Sequence, residues 1–124
     1  MKNILEYFLD TIEVNYTKMY ADKLYCEHPH RYNMYGLKKM LDVYGVKMLG
    51  TYIKNANPSL LTYPCIIHTH DDFVIGLEYN GDTITYMQHG KSITIPHDAF
   101  KRLWTGNALV VEETTIASEP DYKK

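Results

Sequence analysis

The densest run of potential chemistry in the chain is His68-Thr69-His70-Asp71-Asp72. His68 and His70 are two apart, so on a strand their rings share one face. Joined by Asp71 or Asp72 and by His28 or His30, they form a conceivable Zn²⁺ donor set. No Cys-x-x-Cys or His-Glu-x-x-His spacing accompanies them, and short Asp side chains suit turn geometry. The reading is therefore a solvated turn, with no metal. Of the two thiols, Cys26 is the candidate nucleophile, with His68 or His70 as its base. That pairing needs a thiol beside an imidazole in the fold, which linear spacing does not supply. A buried or neutral thiol is the commoner state of a cysteine. A Cys26–Cys65 bridge would close a long loop, worth up to ~4 kcal/mol in the chain-entropy model, but two free thiols are the preferred reading.

The elements that must position these groups follow from periodicity. Residues 3 to about 20 carry Ile4, Leu5, Phe8, Leu9, Ile12, Tyr16, Met19 and Tyr20, a stripe that predicts one core-facing helix. Leu24–Tyr35 is an irregular connector in which Pro29 opposes a continuous helix. A second helix is expected over Gly36–Tyr44, closed by Gly45 in a left-handed cap. Val46–Ile53 reads as a strand. Strands at Cys65–Ile67 and Phe73–Tyr79 follow, with Asn80-Gly81 as the φ > 0 pair of a tight hairpin. Asp82–Gln88 alternates as a half-buried strand, His89-Gly90 marks another turn, and Ser92–Ile95 is the next strand. Pro96 opens a helix with Phe100, Leu103 and Trp104 on one face, Gly106 closes it, and Ala108–Val111 is the last strand. Helices first and antiparallel strands after predict an α+β domain over residues 1–113, with a fraying polar tail at 114–124.

Bulk properties narrow the function. A chain of 124 residues buries enough surface for one real core. A formal net charge of −2 gives no electrostatic footprint for nucleic acid. No apolar run approaches the ~20 residues of a membrane span, and no secretory signal is present. Two cysteines are not a disulfide framework and favour a reducing compartment. Twelve tyrosines read as ring-in, hydroxyl-out caps on a small core. No Gly-rich phosphate loop calls for a nucleotide, and no cofactor is expected.

Two stretches carry a family resemblance. The helix ending KKMLDVYG, and DDFVIGLEYNGDTITYMQHG followed by SITIPHDAFKRLWTGNALVV, resemble the papain-like, bacteriocin-processing (double-glycine leader) peptidase domain of peptide-exporting bacterial ABC transporters. The likeness covers most of residues 22–113. CEHPHRYNMYGL also resembles a divergent branch of Bacteroides-type bacteria, in which such a domain is fused to a vitamin K epoxide reductase-like membrane domain. The resemblance implies the papain-like cysteine peptidase fold, with N-terminal helices packed on an antiparallel β-sheet. It also implies four functional positions. The nucleophile position, counted back from Gly45, falls on Tyr32; the base position before Phe73 falls on Asp72. The orienting position after the second hairpin strand falls on Gln88, and the oxyanion-donor position on Cys26. Tyrosine is no low-pKa nucleophile near neutrality, and Asp72 is a poor base for a thiol. By this alignment the triad is lost.

The expected function is a catalytically silent module. A groove walled by Cys26–Tyr35 on one side, and by His68–Asp72 with Gln88 on the other, would bind a peptide or partner segment. The alternative is a thiol peptidase using Cys26 and His68 or His70. The implied context is peptide secretion or thiol oxidation, cytoplasmic or membrane-associated through a fused or partner protein that would hold any ATP or quinone. The link to thiol oxidation also keeps the Cys26–Cys65 bridge open.

Overall fold

A computed structural model describes residues 2–113 and Pro120. The chain forms two compact units, Met1–Leu49 with Val111–Lys124, and Gly50–Val110. Among the described residues four α-helices, α1 (Ile4–Thr11), α2 (Lys18–Glu27), α3 (Met34–Val43) and α4 (His97–Leu103), accompany a six-stranded sheet. Its strands are β1 (Lys47–Tyr52), β2 (Cys65–Thr69), β3 (Phe73–Tyr79), β4 (Thr83–Gln88), β5 (Lys91–Pro96) and β6 (Trp104–Glu113), in the order β1-β6-β2-β3-β4-β5. The architecture is α+β. Among the described residues, no helix is long and apolar enough to cross a membrane.

The first unit departs from the single N-terminal helix expected from the apolar stripe. α1 begins in a reciprocal capping box. The Asn3 side chain accepts from the Glu6 amide at 3.0 Å, and Glu6 Oε1 accepts from the Asn3 amide at 3.2 Å. It ends after two turns because Glu13 adopts φ 58°. The Glu13 amide donates to the Asp10 carbonyl and the Val14 amide to the Leu9 carbonyl, the paired bonds of a Schellman cap. α2 then absorbs Leu24–Glu27, which the sequence reading left in a connector, and stops before Pro29. α3 starts two residues earlier than expected, with the Asn33 side chain accepting from the Gly36 amide at 2.9 Å. Its end is as read: Gly45 takes φ 81°, and the Val46 amide reaches back to the Leu41 carbonyl. Leu5, Phe8, Leu9, Ala21, Leu37, Met40, Leu41 and Tyr44 are among the buried side chains of this unit.

In the second unit β2 lies between β3 and β6, and the β3–β4–β5 meander extends the sheet. α4 contributes Phe100 to a core of Leu61, Cys65, Ile67, Val74, Ile84, Tyr86, Trp104 and Ala108. Each large apolar side chain buried there stabilises by roughly 1.5–3 kcal/mol before entropy is counted. Leu103, expected on that apolar face, is 37% exposed. The helix also ends before Gly106, because Trp104 already belongs to β6. Gly106 serves the sheet instead. At φ 95° it packs under the Tyr52 ring, where an added Cβ would lie 2.7 Å from Cε1.

The turns exchange the roles expected of them. At Asn80-Gly81 only the glycine has positive φ, and the Asn80 side-chain oxygen accepts from the amides of Asp82 and Thr83 at 2.9 and 2.8 Å. At His89-Gly90 both residues are left-handed, with φ 51° and 82°, and Gln88 pairs directly with Lys91. That is the two-residue hairpin geometry in which successive residues have φ > 0.

Candidate functional site

The β2–β3 turn is the most constrained piece of chemistry-bearing backbone in the second unit. Thr69 is 7% exposed, and its amide and hydroxyl both donate to the Asp72 carbonyl at 2.8 Å. In return its Oγ1 accepts from the Asp72 amide at 3.0 Å. Asp72 Oδ1 accepts from the Phe73 amide at 2.8 Å. The carboxylate is thereby pinned at its backbone and at one oxygen. The other oxygen, Oδ2, meets His89 Nε2 at 3.1 Å. The β4–β5 hairpin projects that ring toward the β2–β3 turn, and the imidazole is 74% exposed.

His89 entered the sequence reading only as a turn marker, one residue beyond Gln88. A carboxylate can only accept, so the contact suits the imidazole form that carries its hydrogen on Nε2 and leaves Nδ1 facing outward. The missed signal lay in the spacing. Asp72 opens β3 and His89 sits in the hairpin that closes β4, so antiparallel pairing brings the two to one end of the sheet.

The two histidines first considered as bases differ from each other. His68 is half-buried, stacked on Phe73 with centroids 4.6 Å apart, while its carbonyl accepts from Thr105 Oγ1 at 2.9 Å. His70 is exposed, and its amide donates to the Leu103 carbonyl at 2.9 Å. Their rings are not brought together into a ligand set: among the described residues no group of three His, Cys, Asp or Glu side chains is arranged to hold a metal ion. Gln88, half-buried, ends β4 opposite Lys91.

The first unit holds the other positions. Cys26 is exposed and is the penultimate residue of α2. That is the negative end of the helix dipole, whereas a reactive thiolate is favoured at a helix N-terminus. Tyr32 precedes the α3 cap residue and is 74% exposed, with the Arg31 guanidinium 4.5 Å from its ring centroid. His30 donates its amide to His28 Nδ1 at 3.1 Å, and its ring meets the Tyr35 ring edge-on. Beside this loop lies a cavity of about 450 Å³ lined by Tyr20, Lys23, Leu24, Glu27, His28 and Pro29. Its floor is mostly apolar, with a lysine, a glutamate and an imidazole around it. Sequence reasoning passed over it because it is built from the i, i+3, i+4, i+7 face of a helix that was not foreseen.

Cys65 is inert. It is fully buried under Gly76, and burial pushes its thiol up to about 12, against a small opposing contribution from the Gly76 backbone. Both cysteines are free, so the bridge entertained between them is not formed.

Comparison with known proteins agrees with this architecture. The model of a family described as the Peptidase C39 family matches residues 3–116, and the chain belongs to that family. It is similar to the crystal structure of a double glycine motif protease from an AMS/PCAT transporter in complex with the leader peptide. Identity is 24% and the TM-score 0.72, covering 89% of this chain and 81% of that one. It is also similar to the N-terminal peptidase C39 like domain of the toxin secretion ATP-binding protein from Vibrio parahaemolyticus. There identity is 15% and the TM-score 0.70, covering 92% and 99%. No curated protein matches the chain. The fold is thus the papain-like α+β fold of these peptidases.

Proposed function

We propose that this chain is a peptide-binding member of the Peptidase C39 family that does not cut by the family's thiol chemistry. The observation that carries the reading is the character of the family positions. Counted against the family pattern, the nucleophile position falls on Tyr32 and the base position on Asp72, neither of them a thiol or an imidazole, and the exposed thiol of Cys26 sits at the C-terminal end of its helix. Binding is supported by the cavity on α2, whose volume suits one or two apolar side chains of a bound segment. We assign peptide contact to Cys26–Tyr35, beside that cavity in the first unit. The similar protease crystallised with its leader peptide makes a double-glycine leader the probe of choice, within a peptide-secretion system.

The test is fluorescence anisotropy with a labelled double-glycine leader peptide, followed by mass spectrometry of the same mixture. Saturable binding with the peptide intact is the expected result, and Leu24→Glu should weaken it by placing a charge on the cavity floor. Absence of saturable binding overturns the reading. Cleavage that disappears in Cys26→Ser would instead establish the second reading, a thiol peptidase with His68 or His70 as base. The observation favouring that alternative is that Cys26 is exposed and unbridged.

A further inference from the structure

The structure assigns a proton-transfer role to His89: held by Asp72, it is a general base toward water attacking an activated acyl group. The inference goes beyond peptide binding and uses neither thiol. Three features of the second unit carry it. First, Asp72 is not a loose surface carboxylate. Its carbonyl, amide and Oδ1 are all committed to Thr69 and Phe73, which leaves Oδ2 aimed at His89 Nε2 at 3.1 Å. Second, the ring is presented by a two-residue hairpin with both φ values positive, a backbone of few degrees of freedom. Third, Nδ1 has no hydrogen-bond partner among the described residues, and the ring is largely exposed, so a substrate can reach it.

An imidazole tied to a carboxylate through one nitrogen and open at the other is the arrangement that takes a proton in acyl transfer. Asp72 fixes the tautomer and offsets the charge of the imidazolium as it forms, which makes it a positioning residue. Carboxylate and imidazole have thus exchanged places relative to the order implied by the resemblance, in which the base precedes Phe73. The other charged groups close by in sequence are Asp71 and His70 on the β2–β3 turn and Lys91 on β5.

In the step itself, Nδ1 accepts a proton from water and the water oxygen bonds to the acyl carbon. The bond from that carbon to the leaving group then breaks, and the leaving group departs with the electron pair. The imidazolium returns its proton to solvent. No oxidant, metal or co-reactant is needed. The consequence for the family reading is specific: the chain is silent toward thiol-dependent cleavage while retaining a couple able to move a proton.

The experiment is hydrolysis of p-nitrophenyl acetate by the full chain, read as release of p-nitrophenolate. Because the ester contains no peptide, failure of peptide binding does not touch the result. His89→Asn is the informative variant, since asparagine tolerates the left-handed turn and keeps the fold. It should lower kcat/KM by roughly 10²-fold, the low end for a positioned general base, and added imidazole should restore part of the rate. Asp72→Asn should lower kcat by up to about ten-fold with KM little changed, because an exposed pair holds its partner only moderately. His97→Gln removes an imidazole of α4 that belongs to neither site and should cost far less. If His89→Asn and His97→Gln fall alike, or if Asp72→Asn leaves kcat untouched, the pair is an ordinary surface ion pair and the inference is wrong.

Discussion

At the scale of single residues, the two cysteines show how position overrides residue type. The sequence presents Cys26 and Cys65 as equals, and only packing separates them. Cys65 points into the core of the second unit, where Gly76 is kept bare: a Cβ there would lie 3.0 Å from the sulfur and 2.8 Å from Ile67 Cδ1. Cys26 faces solvent at the last turn of α2. Iodoacetamide should therefore modify Cys26 in the native protein, while Cys65 reacts only after urea unfolds it. Peptide mapping of the alkylated sites decides this, and native modification of Cys65 at the rate of Cys26 would contradict the packing described. The same blindness hid the Asp72–His89 contact. The partners are separated by a whole hairpin, and a histidine before glycine already has a sufficient local explanation as a turn residue. Tyr32 and Gln88 were reachable only by counting against a family pattern, because nothing in their own chemistry marks them, and Asp72 stood out only as a turn carboxylate.

At the scale of elements, what repeats along the chain was legible and what interrupts it was not. β3 was bounded to the residue because its apolar run ends in Asn80-Gly81. α3 was foreseen to within two residues at its start and one at its end, because Gly45 signals its left-handed cap. The break between α1 and α2 was missed for a physical reason. The apolar stripe continues through Ile12, Tyr16 and Met19, and the cap is made by Glu13, a residue that does not advertise φ > 0. A non-glycine residue at such a cap costs roughly 1 kcal/mol or more, part of which glycine returns as unfolded-state entropy. Glu13→Gly should consequently raise stability by about 0.5–1 kcal/mol in urea denaturation. A loss of stability on that change would mean that the Glu13 side chain contributes more than its backbone strain costs. Helix charges act in the same unit. The Lys18 ammonium, which bonds Asp22 at 3.1 Å, holds the Asp22 carboxyl below its ordinary range. The contribution of Asp22 is present above the ordinary carboxylate value and is lost as pH falls through the lowered one.

At the scale of the whole molecule, the ionisable groups that burial perturbs all push stability the same way at high pH. Between its ordinary value of 9.0 and its folded value of about 12, the Cys65 thiol stays protonated in the fold and ionises in the unfolded chain. The folded state then binds more protons, so stability falls as pH rises, by about 1.4 kcal/mol per unit once the unfolded thiol has ionised. Burial first, then the hydrogen bond to Asp10, pushes Tyr16 up to about 12. Burial likewise raises Tyr63 and Tyr86. All three tyrosines join only above their ordinary value of 10.0. Lys2 and Lys18 are raised by their carboxylate partners, and their stabilisation is complete below 10.5 and lost as pH passes their folded values. Cys65 is therefore the group that acts first. Urea midpoints measured in half-unit steps from pH 7 to 10.5 should be flat to about pH 9 and then decline. Cys65→Ala should lower the plateau, because it empties a packed site, and should delay the decline until the tyrosines begin to ionise. If the wild-type and Cys65→Ala curves turn down together at pH 9, the alkaline limb belongs to some other group, and the buried thiol is not the molecule's first titrating weakness.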